Sequence, residues 1–257
     1  MIGVYDSGIG GLSVWKELYA IMPEQDYVYV ADSAHCPYGD KSPEYIMERA
    51  ETITRFMIGK GTEIVVVACN TATAAAISFL RSRFSIPFVG MEPAVKPAVN
   101  ISETGVIGVL ATSNTFKGRL YHDTVMRCAS GVKLVEIVGA GLVEAVENGE
   151  IPHDLIRKYV DEMLSEGADT IVLGCTHFPF LEDAIAEYAG PSIKIINPAP
   201  AVARQAMKIL DKCGKPDRKN AAPELMFYST GNPEILRTTV ASIVTPMPPS
   251  SFIHLNC

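Results

Sequence analysis

The chain has 257 residues, of which 48% are hydrophobic and 20% are charged, a balance typical of a globular protein with one large or two smaller α/β domains. The formal net charge of −7, without a long Lys/Arg run, argues against a nucleic-acid-binding surface. Six widely spaced cysteines, with no C-x-x-C pair, argue against a disulfide scaffold or a zinc ribbon. Without a secretory signal or a membrane-spanning apolar run, the sequence predicts a cytoplasmic protein with reduced thiols.

The first half of the chain alternates short apolar runs with segments that carry apolar residues on one helical face. This alternation predicts the strands and helices of an α/β fold. Strands are expected at residues 2–5, 26–31 and 64–68, with a short strand within 87–94. Helices are expected up to about residue 20, at 43–59 and at 71–84. We expect Pro93 at the first position of the next helix, where its missing N–H is tolerated.

The second half repeats this alternation. Strands are expected at residues 106–110, 133–138, 171–174 and 193–196, with an edge strand at 225–230. Helices are expected after residue 116 to about 130, and at 140–148, 152–166, 178–188 and 201–210. Residues 212–223 are polar and predict an exposed connector, and the proline-rich run at 245–251 excludes a helix there.

A glycine-rich loop, Asp-Ser-Gly-Ile-Gly-Gly-Leu-Ser at residues 6–13, joins the first strand to the first helix. Its glycines let a ligand approach the backbone N–H groups, and a helix N-terminus favours an anion. The spacing is not the dinucleotide-binding G-x-G-x-x-G, and Asp6 would repel phosphate. An amino group suits Asp6 better, although a plain turn with Asp6 or Ser7 as helix cap would also explain the loop.

Two further loops carry polar residues at strand ends. In residues 32–39, Tyr38 beside Gly39 could lie over a ligand or form a surface lid, whereas His35 and Cys36 are interpreted as loop residues rather than ligands. After the 106–110 strand, the hydroxyls of residues 112, 113 and 115 could hold a carboxylate or merely cap the following helix.

Two cysteines stand at the ends of similar strands. The apolar run 64–68 stops at Cys69-Asn-Thr, and the run 171–174 stops at Cys175-Thr-His. The cysteines lie 106 positions apart (175 − 69), close to the spacing of 105 (108 − 3) between two similar Ile-Gly-Val segments. Because ligands gather at the carboxyl ends of parallel strands, this repeat predicts two α/β halves that each contribute one thiol to a shared site.

Two thiols facing one carbon suit the inversion of a stereocentre. One thiolate removes a proton, and the other thiol returns a proton to the opposite face. If the segment is extended, the side chain of His177 points to the same side as that of Cys175, which lies two residues earlier in the chain. Asp6 could partner Cys69 if their strands are neighbours. The alternative is that both cysteines are small buried side chains without a catalytic role and that His177 only supports the fold.

Four motifs, in order along residues 3 to about 231, resemble the signatures of glutamate racemases. They are Asp-Ser-Gly-Ile-Gly-Gly-Leu-Ser (6–13), Asp-Ser with Pro-Tyr-Gly (32–39), Ala-Cys-Asn-Thr-Ala (68–72) and Leu-Gly-Cys-Thr-His-Phe-Pro (173–179). The resemblance implies a cofactor-independent isomerase that interconverts L- and D-glutamate by a two-base 1,1-proton transfer and supplies D-glutamate for peptidoglycan.

The resemblance also implies a fold and an assembly. Two pseudo-symmetric α/β domains with largely parallel sheets would flank the active site, the first comprising residues 1–92 and about 208–257, the second residues 93–207. The expected partners are the small-molecule substrate and a second copy in a homodimer, with no nucleic acid, membrane or metal. The chain lacks the amino-terminal extension of members activated by UDP-N-acetylmuramoyl-L-alanine, so no such activation is expected.

Residue roles follow from the resemblance by position. Cys69 would serve D-glutamate with help from Asp6, Cys175 would serve L-glutamate with help from His177, and Glu147 matches an acidic residue of the second half. The positions that match the family's substrate contacts are Asp6, Ser7, Pro37, Tyr38, Gly39, Cys69, Asn70, Thr71, Thr115, Cys175, Thr176 and His177. The chain departs from common family patterns at Glu144, at His35-Cys36 and in the loop 111–115.

Three competing functions are weighed. An aspartate or hydantoin racemase would share the fold, but aspartate racemases usually lack the acidic residue of the first glycine-rich loop. A non-catalytic binding protein would tolerate loss of either cysteine. A metal hydrolase using Asp6, Cys175 and His177 would lack an obvious fourth ligand.

Overall fold

A computed structural model describes residues 1–213 and 222–257. Within these ranges the strands are β1 (Ile2–Asp6), β2 (Tyr27–Ala31), β3 (Ile64–Val67), β4 (Phe88–Gly90), β5 (Val106–Ala111), β6 (Lys133–Val138), β7 (Thr170–Gly174), β8 (Lys194–Ile196), β9 (Leu225–Ser229) and β10 (Ser251–His254). The α-helices are α1 (Leu12–Ile21), α2 (Pro43–Gly59), α3 (Asn70–Arg83), α4 (Val95–Ile101), α5 (Ser113–Lys117), α6 (Arg119–Cys128), α7 (Leu142–Glu147), α8 (His153–Ser165), α9 (Glu182–Ala189), α10 (Ala199–Cys213) and α11 (Pro233–Ile243).

The strands form two parallel sheets with a shared internal order. The first sheet runs β10-β9-β2-β1-β3-β4 and the second runs β6-β5-β7-β8. Four neighbouring strands of the first sheet, β2-β1-β3-β4, correspond one by one to the whole second sheet. The predicted α/β class with two similar halves is therefore confirmed. The correspondence pairs β3 with β7, the two strands that the sequence repeat had matched.

Continuous apolar runs form the central strands because helices shield both faces of each sheet. Every residue of β1, β2, β3 and β7 is buried. Helix α1 packs Trp15 edge-on against Phe227 of β9, with ring centroids 4.9 Å apart. The buried strands fix the positions of the loops at their carboxyl ends, where the polar residues cluster.

Several local predictions from the sequence are wrong. Helix α4 begins at Val95 rather than at Pro93, because the Val95 N–H donates to the Pro93 carbonyl in a tight turn. Pro97 then lies in the first turn of α4, where a missing N–H costs nothing. The polar loop expected at 111–116 contains helix α5, and the helix expected after residue 116 to about 130 is α6, which begins at Arg119 after the extended backbone of Gly118.

The carboxyl-terminal segment also differs from expectation. Strand β9 is not an edge strand, because β10 pairs with its outer side. Helix α10 continues to residue 213, residues 214–221 of the predicted connector lie outside the described residues, and residues 222–223 belong to neither a helix nor a strand. Helix α11 and strand β10 were not predicted. The segment 245–251 is free of helix, as expected.

Across residues 1–213 and 222–257, none of the helices combines the length and apolar character needed to cross a bilayer.

A buried ion pair anchors the loop that follows β2. Asp32 is fully buried and accepts hydrogen bonds from Arg49 Nε at 2.9 Å and Arg49 Nη2 at 2.8 Å. Thr230 Oγ1 donates to the same carboxylate at 3.0 Å, and the Tyr38 hydroxyl donates as well. Since Tyr38 belongs to a loop with predicted substrate contacts, this network ties the loop to the core of the first sheet.

We expect Arg49→Met to lower the free energy of unfolding by about 3–5 kcal/mol, because it leaves the buried Asp32 carboxylate without its hydrogen-bonded guanidinium partner. Urea denaturation measures the change. The double variant Asp32→Asn/Arg49→Met should recover most of it, since both charges are then gone. A loss below about 1 kcal/mol in the single variant would contradict the assignment of a buried pair.

Candidate active site

The two predicted cysteines lie at equivalent strand ends. Cys69 follows β3 and accepts a hydrogen bond from the Ala72 N–H at 3.4 Å, so it caps the N-terminus of α3. Cys175 follows β7. Both thiols are buried, and both line one cavity between the two sheets. The carboxyl ends of parallel strands thus bring the two thiols together, as the sequence repeat predicts.

The cavity is lined from both halves of the chain. Its residues come from the loops after β1, β2, β3, β5 and β7 and from α7: Ser7, Pro37, Tyr38, Gly39, Cys69, Asn70, Thr71, Thr112, Val143, Cys175, Thr176 and His177. Its volume is about 10 Å³, roughly the space that one water molecule requires. A larger ligand therefore fits only if the lining residues move apart.

Nearly all the predicted substrate-contact residues line this cavity. Asp6 and Thr115 lie behind the lining, and so does the predicted catalytic residue Glu147. Thr115 reaches the cavity through Thr112, with hydroxyl oxygens 2.9 Å apart. Thr112 was considered in the sequence only as one of several loop hydroxyls, and Val143 carries no polar signal that could have identified it.

Asn70 has the character of a ligand contact. Its side chain is buried in the cavity wall, and neither its amide nitrogen nor its amide oxygen has a hydrogen-bond partner among the described residues. Buried polar groups in proteins almost always have partners. A ligand with donors and acceptors in the cavity would satisfy this amide.

The surroundings of Cys69 favour its protonated form. Burial raises the pKa of the Cys69 thiol, and the nearby carboxylate of Asp6 raises it further. Ser7 Oγ lies 3.7 Å from the sulfur. Strands β1 and β3 are neighbours, as the partnership of Asp6 and Cys69 requires. These effects keep the Cys69 thiol protonated.

His177 stands beside Cys175. Its Nδ1 lies 3.8 Å from Cys175 Sγ, and its Nε2 lies 2.6 Å from Glu147 Oε1. His177 lies near Cys175, as predicted. The predicted reason, an extended segment, is wrong because His177 has helical backbone angles. Gly10 permits the arrangement, since a Cβ there would lie 2.3 Å from His177 Nδ1.

Hydrogen bonds keep His177 positively charged. Burial opposes the charged imidazolium, but hydrogen bonds to Cys175, Cys36 and Glu147 outweigh it and raise the pKa of His177 well above its usual value. The imidazolium can therefore donate hydrogen bonds from both ring nitrogens. One of these bonds points toward the Cys175 sulfur.

Asp6 connects the two halves behind the cavity. Its carboxylate accepts from the Gly8 N–H at 3.0 Å and from Thr176 Oγ1 at 3.0 Å. Burial raises the pKa of Asp6, while the charge of His177 and these hydrogen bonds lower it. The next N–H of the loop, that of Ile9, donates to Glu147 Oε1 at 2.7 Å. Two of the loop N–H groups expected to face a ligand are thus used by the protein's own carboxylates.

The sequence of the chain matches the model of one protein family. Residues 13–206 match the Asp/Glu/Hydantoin racemase family model, which covers most of the chain. The chain belongs to the Asp/Glu/hydantoin racemase family. The predicted resemblance and the racemase, hence isomerase, class are confirmed.

Within the racemase family, the similarity is to glutamate racemases. The glutamate racemase of Methylococcus capsulatus is 45% identical, over 96% of this chain and 95% of that protein. The crystal structure of Escherichia coli glutamate racemase, in complex with L-glutamate and an activator, superposes with a TM-score of 0.88 at 30% identity. The alignment covers 99% of this chain and 97% of that one. The Francisella tularensis enzyme in complex with D-glutamate gives a TM-score of 0.82 at 26% identity, over 98% of this chain and 96% of that one.

Cys36 lies next to the candidate site, although it was interpreted from the sequence as a loop residue rather than a ligand. Its sulfur lies within 4.8 Å of ligand atoms of both His177 and Glu147. The cis peptide bond between Cys36 and Pro37 lies in the loop that brings it there. Its neighbour His35 points elsewhere, to the Tyr45 hydroxyl. Among the described residues, the metal-capable group is therefore Cys36, Glu147 and His177, not the Asp6, Cys175 and His177 set considered from the sequence.

Asn114 joins the two halves of the racemase fold at the edge of the cavity. Its side-chain amide donates to the Tyr38 carbonyl at 3.1 Å and to the Lys41 carbonyl at 2.9 Å. Nearby, Thr71 Oγ1 and Thr112 Oγ1 lie 2.9 Å apart across the same boundary. These bonds hold the two halves together beside the small cavity.

We expect Asn114→Ala to raise KM for the substrate about 5- to 30-fold with kcat within about twofold. Two lost hydrogen bonds, worth about 1–2 kcal/mol together, shift the protein toward the open form. Steady-state kinetics measure the effect. Ser113→Ala, one residue away, is the matched control and should leave KM unchanged. An unaltered KM in Asn114→Ala would contradict a closing role for these bonds.

Proposed function

We propose that this chain interconverts L- and D-glutamate by a two-base proton transfer between Cys175 and Cys69, without a cofactor. The observation that carries the proposal is the placement of two buried thiols, from equivalent strand ends, on one small cavity. The similarity to glutamate racemases supports glutamate as the substrate, and the unpartnered Asn70 amide supports a polar ligand between the thiols.

For L-glutamate, the Cys175 thiolate takes the proton from Cα. The Cα–H bond breaks, an S–H bond forms, and the electron pair stays on the substrate as a carbanion. Cys69 then gives its thiol proton to the opposite face, which yields D-glutamate and a Cys69 thiolate. Each thiol has gained or lost one proton, so atoms and charges balance. D-Glutamate runs the same steps in reverse.

His177 and Glu147 support the Cys175 side. The imidazolium can donate a hydrogen bond to Cys175 Sγ and so stabilise negative charge there, while Glu147 holds the ring from its other nitrogen. Glu147 lies outside the cavity lining, so we assign it a positioning role. Asp6 assists Cys69 by the resemblance. Both thiols lie in a water-poor cavity, where such polar groups act most strongly.

The other residues that line the cavity would bind the charged groups of the substrate. We propose that Ser7, Asn70, Thr71 and Thr176 bind its ammonium and carboxylate groups, with the loop of Pro37, Tyr38 and Gly39 closing over it. Thr115 acts through Thr112. The hydroxyls, the Asn70 amide and the first N–H groups of α3 provide donors for the carboxylates.

The larger-scale expectations remain part of the proposal. We propose two domains, residues 1–92 with about 208–257 and residues 93–207, in line with the two sheets. Helix α10, which packs on α1, connects them. The resemblance also supports a cytoplasmic homodimer that supplies D-glutamate for peptidoglycan. Sedimentation equilibrium of the purified chain tests the dimer.

Racemisation of L-glutamate by the purified, chelator-treated protein tests the proposed function. Loss of optical rotation without added cofactor is the expected result, with L-aspartate and hydantoins turned over far more slowly. Turnover of L-aspartate but not of L-glutamate would favour the aspartate racemase alternative. No turnover of any of them would indicate a binding protein.

A further inference from the structure

The thiol of Cys36, the carboxylate of Glu147 and the imidazole of His177 converge on one point beside the reaction cavity. All three ligand atoms lie within 4.8 Å of one another, although they come from the loop after β2, the end of α7 and the turn after β7. We propose that these three side chains form an inhibitory binding site for a thiophilic divalent cation of the Zn²⁺ type. The racemisation itself, as proposed above, uses no metal.

The donor set is one that zinc prefers. Zinc sites combine cysteine sulfur, histidine nitrogen and carboxylate oxygen at about 2.0–2.3 Å, often with three protein ligands and one open position. The ligand atoms of such a tetrahedron lie roughly 3.3–3.8 Å apart. The three ligand atoms already lie within 4.8 Å of one another, and metal binding would require the 2.6 Å contact between His177 and Glu147 to open by about 1 Å.

Charge and access also fit a divalent cation. A thiolate, a carboxylate and a neutral imidazole together carry two negative charges, which balance Zn²⁺. Cys36 is half-buried and the Glu147 side chain is 18% exposed, so an ion can reach them although His177 is buried. Because the sulfur and the imidazole must lose protons to bind, affinity falls as the pH is lowered.

Occupation of this site would stop the proposed reaction. The metal would bind one ring nitrogen of His177, either the one that now contacts Glu147 or the one that now contacts Cys175. The neutral, metal-bound imidazole would then no longer donate a charged hydrogen bond to Cys175 Sγ. This consequence rests on the proposed function. Binding of the metal does not, because it depends only on the three ligands. The two can therefore be tested separately.

The binding test uses Co²⁺ as a spectroscopic probe of the full-length, reduced protein. We expect one equivalent to bind with a thiolate-to-cobalt charge-transfer band. Cys36→Ser should lose the band and bind at least tenfold more weakly. Cys128→Ser, which alters a half-buried free cysteine on α6, is the matched control and should keep both. Glu147→Gln should bind more weakly but keep the band.

The inhibition test uses Zn²⁺ in the racemase assay. We expect wild type and Cys128→Ser to be inhibited alike, and Cys36→Ser to require at least tenfold more Zn²⁺. If Cys36→Ser binds Co²⁺ as tightly as wild type with an unchanged band, the metal is held by another thiol and the proposal is overturned. If the protein has no racemase activity, the proposed function fails, while the Co²⁺ results still decide the metal site.

Discussion

Cys69→Ala and Cys175→Ala each lower kcat/KM for racemisation of L-glutamate by about 10³-fold or more, because each removes the acid or base on one face of the substrate. Both thiols line the same small cavity, and the described residues offer no other thiol in its wall. The effect should appear in kcat rather than KM, since the thiols act on Cα and do not hold the carboxylates. Polarimetry at saturating substrate measures it.

The control for the cysteine variants is Cys128→Ala, which removes a free thiol that does not line the cavity and should leave the rate unchanged. Thermal melts of all three variants show whether the fold is kept. A variant at Cys69 or Cys175 that folds normally and retains more than about a tenth of the wild-type rate would contradict its role as an essential base.

His177→Asn lowers kcat/KM by about 10²-fold, and Glu147→Gln by a smaller factor of about 10, because His177 contacts the thiol and Glu147 only holds His177. Since enantiomers have equal free energies, kcat/KM must fall equally in both directions. The step that is slowed is nevertheless the proton transfer at Cys175. We therefore expect a larger primary isotope effect for L-glutamate deuterated at Cα than for the deuterated D-enantiomer.

Initial rates with the four labelled and unlabelled substrates measure these isotope effects. A purely structural role for His177 would lower the melting temperature and the rate without separating the two isotope effects. Equal isotope effects in a well-folded His177→Asn variant would therefore contradict its assignment to Cys175. Thr176→Val removes a hydrogen bond to Asp6, on the Cys69 side, so it should not make the isotope effect larger for L-glutamate than for D-glutamate.

Much of the fold could be predicted because its signals are local. Helix α2 has the predicted bounds, with Ser42 as its N-cap and Pro43 at its first position. Strand β6 also has the predicted bounds. The repeat that linked Cys69 to Cys175 identified two strands in equivalent places of two sheets, which composition alone would not have done.

What sequence reasoning missed depends on distant contacts. Cys36 is near His177 because the loop after β2 meets the turn after β7, and no spacing in the sequence shows this. Strand β9 is an interior strand because a later segment, β10, pairs with it. Gly118, between α5 and α6, leaves no room for a side chain because a Cβ there would lie 2.7 Å from the Cβ of Ala74 in α3. Each of these depends on residues from separate parts of the chain.

The most direct test of the two-base mechanism is racemisation of L-glutamate in D₂O, stopped at low conversion. With Cys175 and Cys69 on opposite faces, the D-glutamate formed should carry solvent deuterium at Cα, whereas the recovered L-glutamate should carry almost none. Mass spectrometry of the separated enantiomers measures both. Deuterium in the recovered L-glutamate equal to that in the product would show that one base serves both faces, and would contradict the opposed-thiol mechanism.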